Sequence, residues 1–127
     1  MATTGEERQP QPFQSLYVVF GMLAVMWVLE IIDTVAGGRL DRHGIRPHRL
    51  DGLDGIVWAP FLHGGFGHLI ANSIPFALLG CAIALGTLKR FVLVTVIVAV
   101  ISGAGTWLLG SSHEVHIGAS GLVFGYL

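Results

Sequence analysis

Apolar residues in this chain come in long unbroken runs, not in stripes of helical or strand period. The first run extends from about Phe13 to Ala36, long enough for the roughly 20 helical residues that cross a hydrocarbon core. Tyr17 and Trp27 are its polar-tipped aromatics, and Glu30 and Asp33 lie toward its far end, where a carboxylate can reach the headgroup layer. A second run spans about Phe66 to Thr87 and contains Pro75, which should kink it. Thr87-Leu88-Lys89-Arg90 reads as a tight basic turn. A third run follows from about Phe91 to Gly110, with Gly103 and Gly105 offering close helix approach. Ala119 to Leu127 begins a fourth. Nine helical residues rise only about 13 Å, against a core of about 30 Å. A helix ending at mid-bilayer would leave its last carbonyls unpaired in lipid. The expectation is an all-α, polytopic transmembrane bundle with three complete spans and the start of a fourth, forming the N-terminal part of a longer membrane protein.

The intervening segments are polar or short. Residues 1–12 carry two prolines and no periodicity and read as a flexible tail, leaving 13–127 as a partial membrane domain. The first run exceeds the apolar core of about 7–15 residues in a cleaved signal, and Glu6 and Glu7 precede it, so it is read as a retained span. Residues 37–55 form a loop rich in Gly, Arg and Asp. Ile56 to Leu62 is apolar but interrupted by Pro60, and reads as an interfacial or partly inserted segment. Ser111 to Ile117 is a polar loop.

Composition agrees. Hydrophobic residues make up 53% and charged residues 12%, where soluble domains carry roughly a quarter charged. A net charge of -1 gives no basic footprint for nucleic acid. The single cysteine, Cys81, sits in an apolar run and reads as a small packed hydrophobe.

Three polar features break the apolar background. His68 and Asn72 are four residues apart and share a helix face. The pair serves either as interhelical glue or as two donors aimed at one developing oxyanion. Ser120 lies in Gly118-Ala119-Ser120-Gly121, at the first turn of the fourth run, where backbone N–H groups lack helical partners. Gly121 and Gly125 form a Gly-x-x-x-Gly face, consistent either with helix packing or with a nucleophile site, and that face is expected to await a helix beyond Leu127. His63 precedes the second span and reads as a loop histidine bonded to backbone. His43, His48, His113 and His116 read as solvated, and no His-x-x-x-His or Cys-x-x-Cys spacing supports a metal site.

Together these residues resemble the rhomboid intramembrane serine proteases. Ala59-Pro60-Phe61-Leu62-His63-Gly64-Gly65-Phe66-Gly67-His68-Leu69-Ile70-Ala71-Asn72-Ser73 looks like that family's His-x-x-x-Asn motif on the second helix. His116-Ile117-Gly118-Ala119-Ser120-Gly121-Leu122-Val123-Phe124-Gly125 looks like its Gly-x-Ser-Gly motif opening the fourth. The resemblance implies Ser120 as nucleophile, and His68 and Asn72 lining the oxyanion hole with the Ser120 N–H. It further implies Gly118 permitting approach of the substrate backbone, Phe124 at the aromatic position beside the catalytic histidine, and His63 bracing the loop between the first two spans. The family's base histidine, on its sixth helix, lies beyond Leu127, and its Trp-Arg pair is absent, since Trp58 is followed by Ala59.

The resemblance thus implies an intramembrane endopeptidase acting on transmembrane substrates through a Ser-His dyad, with no metal or organic cofactor, in the plasma membrane. This chain alone is expected to be inactive. A rhomboid-like pseudoprotease that binds transmembrane helices without cutting them, and a transporter fragment with His68 and Asn72 along a polar path, remain alternatives. Basic residues number four in the first loop (Arg39, Arg42, Arg46, Arg49) and three on the opposite side (Arg8, Lys89, Arg90), leaning weakly to a cytoplasmic first loop. The resemblance implies the reverse orientation.

Overall fold

The computed structural model describes residues 13–127. The expected tail, residues 1–12, lies outside the described residues. The described chain is helical, with three helices long and apolar enough to cross a membrane: α1 (Gln14–Val35), α3 (Phe66–Ala84) and α4 (Leu88–Leu109). A short α2 (Gly55–Trp58) precedes α3, and α5 (Ser120–Tyr126) ends the chain.

α1 and α3 each turn one line of residues inward. On α1 the buried positions are Ser15, Val19, Met26, Glu30 and Asp33, and on α3 they are Leu69, Asn72, Phe76, Gly80 and Ala84. Spacings of three, four and seven keep each set on one face. α1 packs along α3, and α5 fits between α3 and α4. The core joins Val19, Met26, Leu69, Phe76, Phe91, Leu122 and Tyr126. Tyr126 stacks at 6.1 Å from Phe76 and 6.3 Å from Phe91, and its hydroxyl shares a 2.6 Å hydrogen bond with the Thr95 hydroxyl. In an apolar setting a buried phenol needs such a partner.

Several sequence expectations are corrected. Leu88, Lys89 and Arg90 belong to the first turn of α4, because the Thr87 hydroxyl caps it by accepting the Arg90 N–H at 3.1 Å. Glu30 and Asp33 do not reach outward. Both are 4% exposed, and Asp33 Oδ1 accepts the Leu40 N–H at 2.7 Å, satisfying a loop donor just past the helix end. The face of Gly121 and Gly125 is not left waiting for a later helix: it seats on α4, with Ser102 against Gly121 and Val98 against Gly125. The four-residue spacing is matched on both helices, so the two faces mate in antiparallel register.

The first loop is tied to the end of α4 and to the loop before α5. Ile45 and His116 exchange two backbone hydrogen bonds of 2.9 Å each. The His48 N–H donates to the Trp107 carbonyl at 3.2 Å, while the Trp107 indole donates to the Arg49 carbonyl at 2.9 Å. His48 Nε2 lies 2.7 Å from the Leu108 carbonyl, one of the carbonyls a helix end leaves without a partner. Ile56 packs onto Gly103 of α4, while Val57 and Trp58 stay exposed. The segment read as interfacial is therefore half protein-facing.

Candidate active site

The site is built around Gly118. Its φ of +115° lies where residues with a side chain are strained. A Cβ there would come within 2.7 Å of His68 Cε1 and 2.8 Å of His68 Nε2, with Asn72 Nδ2 at 3.5 Å. The bare glycine is what lets two side chains of α3 close on the loop that leads into α5. Ser120 stands two residues further on, as the first residue of that helix.

Hydrogen bonds fix which way the histidines donate. His68 Nδ1 accepts the Gly64 N–H at 3.2 Å. The neutral ring therefore carries its proton on Nε2, the nitrogen beside Gly118. Asn72 is 8% exposed, and its Nδ2 is buried with no hydrogen-bond partner. Buried amides normally find partners, so two donors converge beside Gly118, one of them unsatisfied. Glue between helices would use both. The helix contact that glue would serve is instead made by neighbouring residues: the Trp27 indole of α1 donates to the Ser73 hydroxyl at 3.1 Å, and that hydroxyl donates to the Leu69 carbonyl at 2.6 Å.

The loop before α5 is anchored by the segment ahead of α3. The Ala59 carbonyl accepts the Gly118 N–H at 2.8 Å and the Leu62 N–H at 3.2 Å. His63 Nε2 accepts the Ala119 N–H at 3.2 Å. His63 is 1% exposed, and its ring meets that of His68 edge-on at 5.1 Å. Burial above all, then the adjacent His68, pushes its pKa down to about 4, against a smaller opposing contact with the Phe61 backbone. The first helical bond of α5 runs from the Val123 N–H to the Ala119 carbonyl. The N–H groups of Ser120, Gly121 and Leu122 thus have no partner within the helix.

Ser120 lines a cavity of about 220 Å³ together with Gly118, Gly121, Ser102, Thr106 and His116. Phe124, one turn beyond Ser120, lines the same cavity and is 74% exposed. His116, read as solvated, is half-buried through its pairing with Ile45, and its Nε2 is buried without a partner against Gly110. His43 and His113 are exposed, as is His48 despite its two ring contacts. Among the described residues no group of three or more His, Cys, Asp or Glu side chains is placed to hold a metal ion. His63 bonds backbone as expected, but its partner Ala119 was not foreseen from sequence, nor was the Ile45–His116 bridge. Each contact joins two loops far apart in the chain, and no periodic pattern marks such a pairing.

The rhomboid domain family matches residues 52–127. The uncharacterized protein Rv1337 of Mycobacterium tuberculosis is 42% identical over 130 residues, covering 98% of this chain and 54% of that protein. The uncharacterized protein ML1171 of Mycobacterium leprae is 42% identical over 114 residues, covering 86% and 45%. The Bacillus subtilis protein named Putative rhomboid protease YdcA is 35% identical over 124 residues, covering 91% and 62%. The chain thus spans about half the length of its mycobacterial relatives. No solved structure matches it significantly.

Proposed function

This chain belongs to the rhomboid family, and on that premise we propose that it supplies the nucleophile and oxyanion hole of an intramembrane serine endopeptidase. The observation that carries the proposal is the meeting at Gly118 of His68 Nε2–H and the unsatisfied Asn72 amide, two residues from Ser120. The Ser120 hydroxyl attacks the scissile carbonyl of a transmembrane substrate. As the carbonyl oxygen becomes an oxyanion, it accepts from His68, Asn72 and the Ser120 N–H. Donors in place before the charge develops are worth most at that moment. The base histidine that takes the Ser120 proton returns it to the amine half as collapse expels it, and water, deprotonated by the same base, then cleaves the acyl-serine to regenerate the hydroxyl.

A serine attacks efficiently only with a base beside it. His113 is exposed and the free nitrogen of His116 lies against Gly110. On the rhomboid resemblance, the base of the proposed Ser-His dyad is a histidine of a later helix, outside these 127 residues. The bare Gly118 leaves room for substrate backbone beside the two donors, and the cavity beyond Ser120 opens beneath the polar loop that water can reach. Phe124 is assigned to packing beside the incoming histidine. Residues 13–127 form part of one membrane domain, the bilayer is that of the cell, and no cofactor takes part.

The test is cleavage of a transmembrane test substrate by the complete protein reconstituted in lipid. Ser120→Ala should lower turnover by on the order of 10³-fold or more, with an unchanged melting temperature. Retained cleavage would remove Ser120 from the reaction. An inactive wild type that still binds transmembrane helices would favour the pseudoprotease.

A further inference from the structure

We propose that His63 is a positioning residue for Ser120, holding the backbone that carries the nucleophile by accepting the Ala119 N–H. The inference rests on the reading of Ser120 given above.

Two consecutive N–H groups before α5 are tied to one short segment: Gly118 to the Ala59 carbonyl at 2.8 Å and Ala119 to His63 Nε2 at 3.2 Å. The next N–H in line, that of Ser120, begins the helix and has no partner within it. The segment 59–63 thus occupies the N–H groups of Gly118 and Ala119 and stops one residue short of the one that an oxyanion needs. Ala119 is fully buried, so its N–H must be satisfied by protein. Here a side chain 56 positions earlier does it.

Only one form of the ring serves. Accepting at Nε2 requires the lone pair there, so the neutral ring carries its proton on Nδ1. A protonated ring would turn an N–H toward the Ala119 N–H. The burial of His63 favours the neutral form through the physiological range. The same ring meets His68 edge-on at 5.1 Å. His63 therefore touches both halves of the site, the nucleophile's backbone and an oxyanion donor, without itself reaching the substrate.

This predicts a pattern that a space-filling role would not produce. His63→Leu keeps most of the volume and removes the acceptor. His63→Gln places a carbonyl oxygen near the position of Nε2. In the complete enzyme, His63→Leu should lower kcat by about tenfold or more, with KM within about twofold, since a nucleophile out of place by about 1 Å can cost on the order of 10²-fold. His63→Gln should recover most of that loss. If Gln is as poor as Leu, or if the loss appears in KM alone, the positioning role is wrong.

A second readout needs no turnover. Imidazole ¹⁵N spectra of the wild-type protein should show His63 protonated on Nδ1 and not on Nε2, and the Ala119 amide should exchange slowly. Protection should be lost in His63→Leu and regained in His63→Gln. An Nε2-protonated His63, or a rapidly exchanging Ala119 amide in wild type, overturns the contact itself. If tautomer and protection hold but Ser120→Ala still cleaves, the assignment of Ser120 as nucleophile has failed and the His63 contact has not. If Ser120→Ala is inactive while His63→Leu turns over normally, only the positioning role has failed.

Discussion

α3 and α4 are both apolar, both long enough to span a bilayer, and adjacent in the chain, yet they do different work. α3 buries a complete line of residues and carries His68, Asn72 and Ser73 on or beside it. Over 22 residues α4 buries only Phe91 and Gly103, and turns Leu93, Val96, Val100 and Ile101 outward. In water such a contrast would mark α4 as out of place. In a bilayer an outward apolar face costs nothing, and burial of apolar surface gives helices little drive to associate. What separates the two is what their inward polar groups do: α3 turns His68 and the unpartnered Asn72 amide toward Gly118, whereas Thr95 and Thr106 of α4 are bonded to Tyr126 and to the Ser102 carbonyl. Polar groups in a membrane interior are expensive and tend to mark function. α4 contributes packing surface instead, through Gly103 against Ile56 and through Val98 and Ser102 against the glycines of α5.

Paired substitutions on the two helices test this contrast. The largest effect is expected at the point where α3 meets the serine loop. Gly118→Ala adds a methyl at a φ of +115° and 2.8 Å from His68 Nε2, so the loop or the histidine must move. Cleavage should fall by about 10³-fold or more, since both the donors and the serine loop are displaced. A near-normal rate would mean that the close approach is incidental.

Next comes the donor pair itself. Asn72→Leu removes the unsatisfied amide from α3 at nearly constant volume, and kcat should drop by about 10²–10³-fold while the melting temperature holds or rises. Its partner measurement is Ile101→Ala on α4, where the side chain is 67% exposed. There stability should change by less than about 0.5 kcal/mol and turnover should not change. If Asn72→Leu loses stability and activity in proportion, Asn72 is interhelical glue and the contrast between the helices dissolves.

The smallest effect is expected at Trp27. Trp27→Phe deletes the indole bond to Ser73 and leaves the aromatic contact with Phe66, 6.1 Å away between centroids. Interhelical hydrogen bonds in membranes average about 0.6 kcal/mol. A melting shift of a degree or two with unchanged turnover is the expected result. A large loss of activity would extend the functional region of α3 to its contact with α1.

The spans were legible because each apolar run exceeds what any buried helix of a small soluble domain needs. Their ends were less so. Lys89 and Arg90 suggested a turn, but the Thr87 hydroxyl caps α4 ahead of them and draws both into its first turn. His68, Asn72 and Ser120 were legible as residues, since polar groups stand out against an apolar background. Their arrangement was not. The approach of His68 to Gly118 depends on the positive φ of that glycine and on the Ala59 carbonyl that holds its N–H. The inward turn of Glu30 and Asp33 depends on where the loop after α1 brings Leu40. The spacing of Gly121 and Gly125 announced a close helix contact, but the partner expected was a helix beyond Leu127. Only the fold supplies Val98 and Ser102.

The central claim is that Ser120 is a nucleophile served by donors on α3. The most direct measurement is covalent labelling of the complete protein in lipid with a fluorophosphonate, followed by mass mapping of the modified peptide. A single adduct on Ser120 is expected, absent from Ser120→Ala and formed much more slowly in Asn72→Leu. An adduct on another residue, or labelling that survives Ser120→Ala, would contradict it.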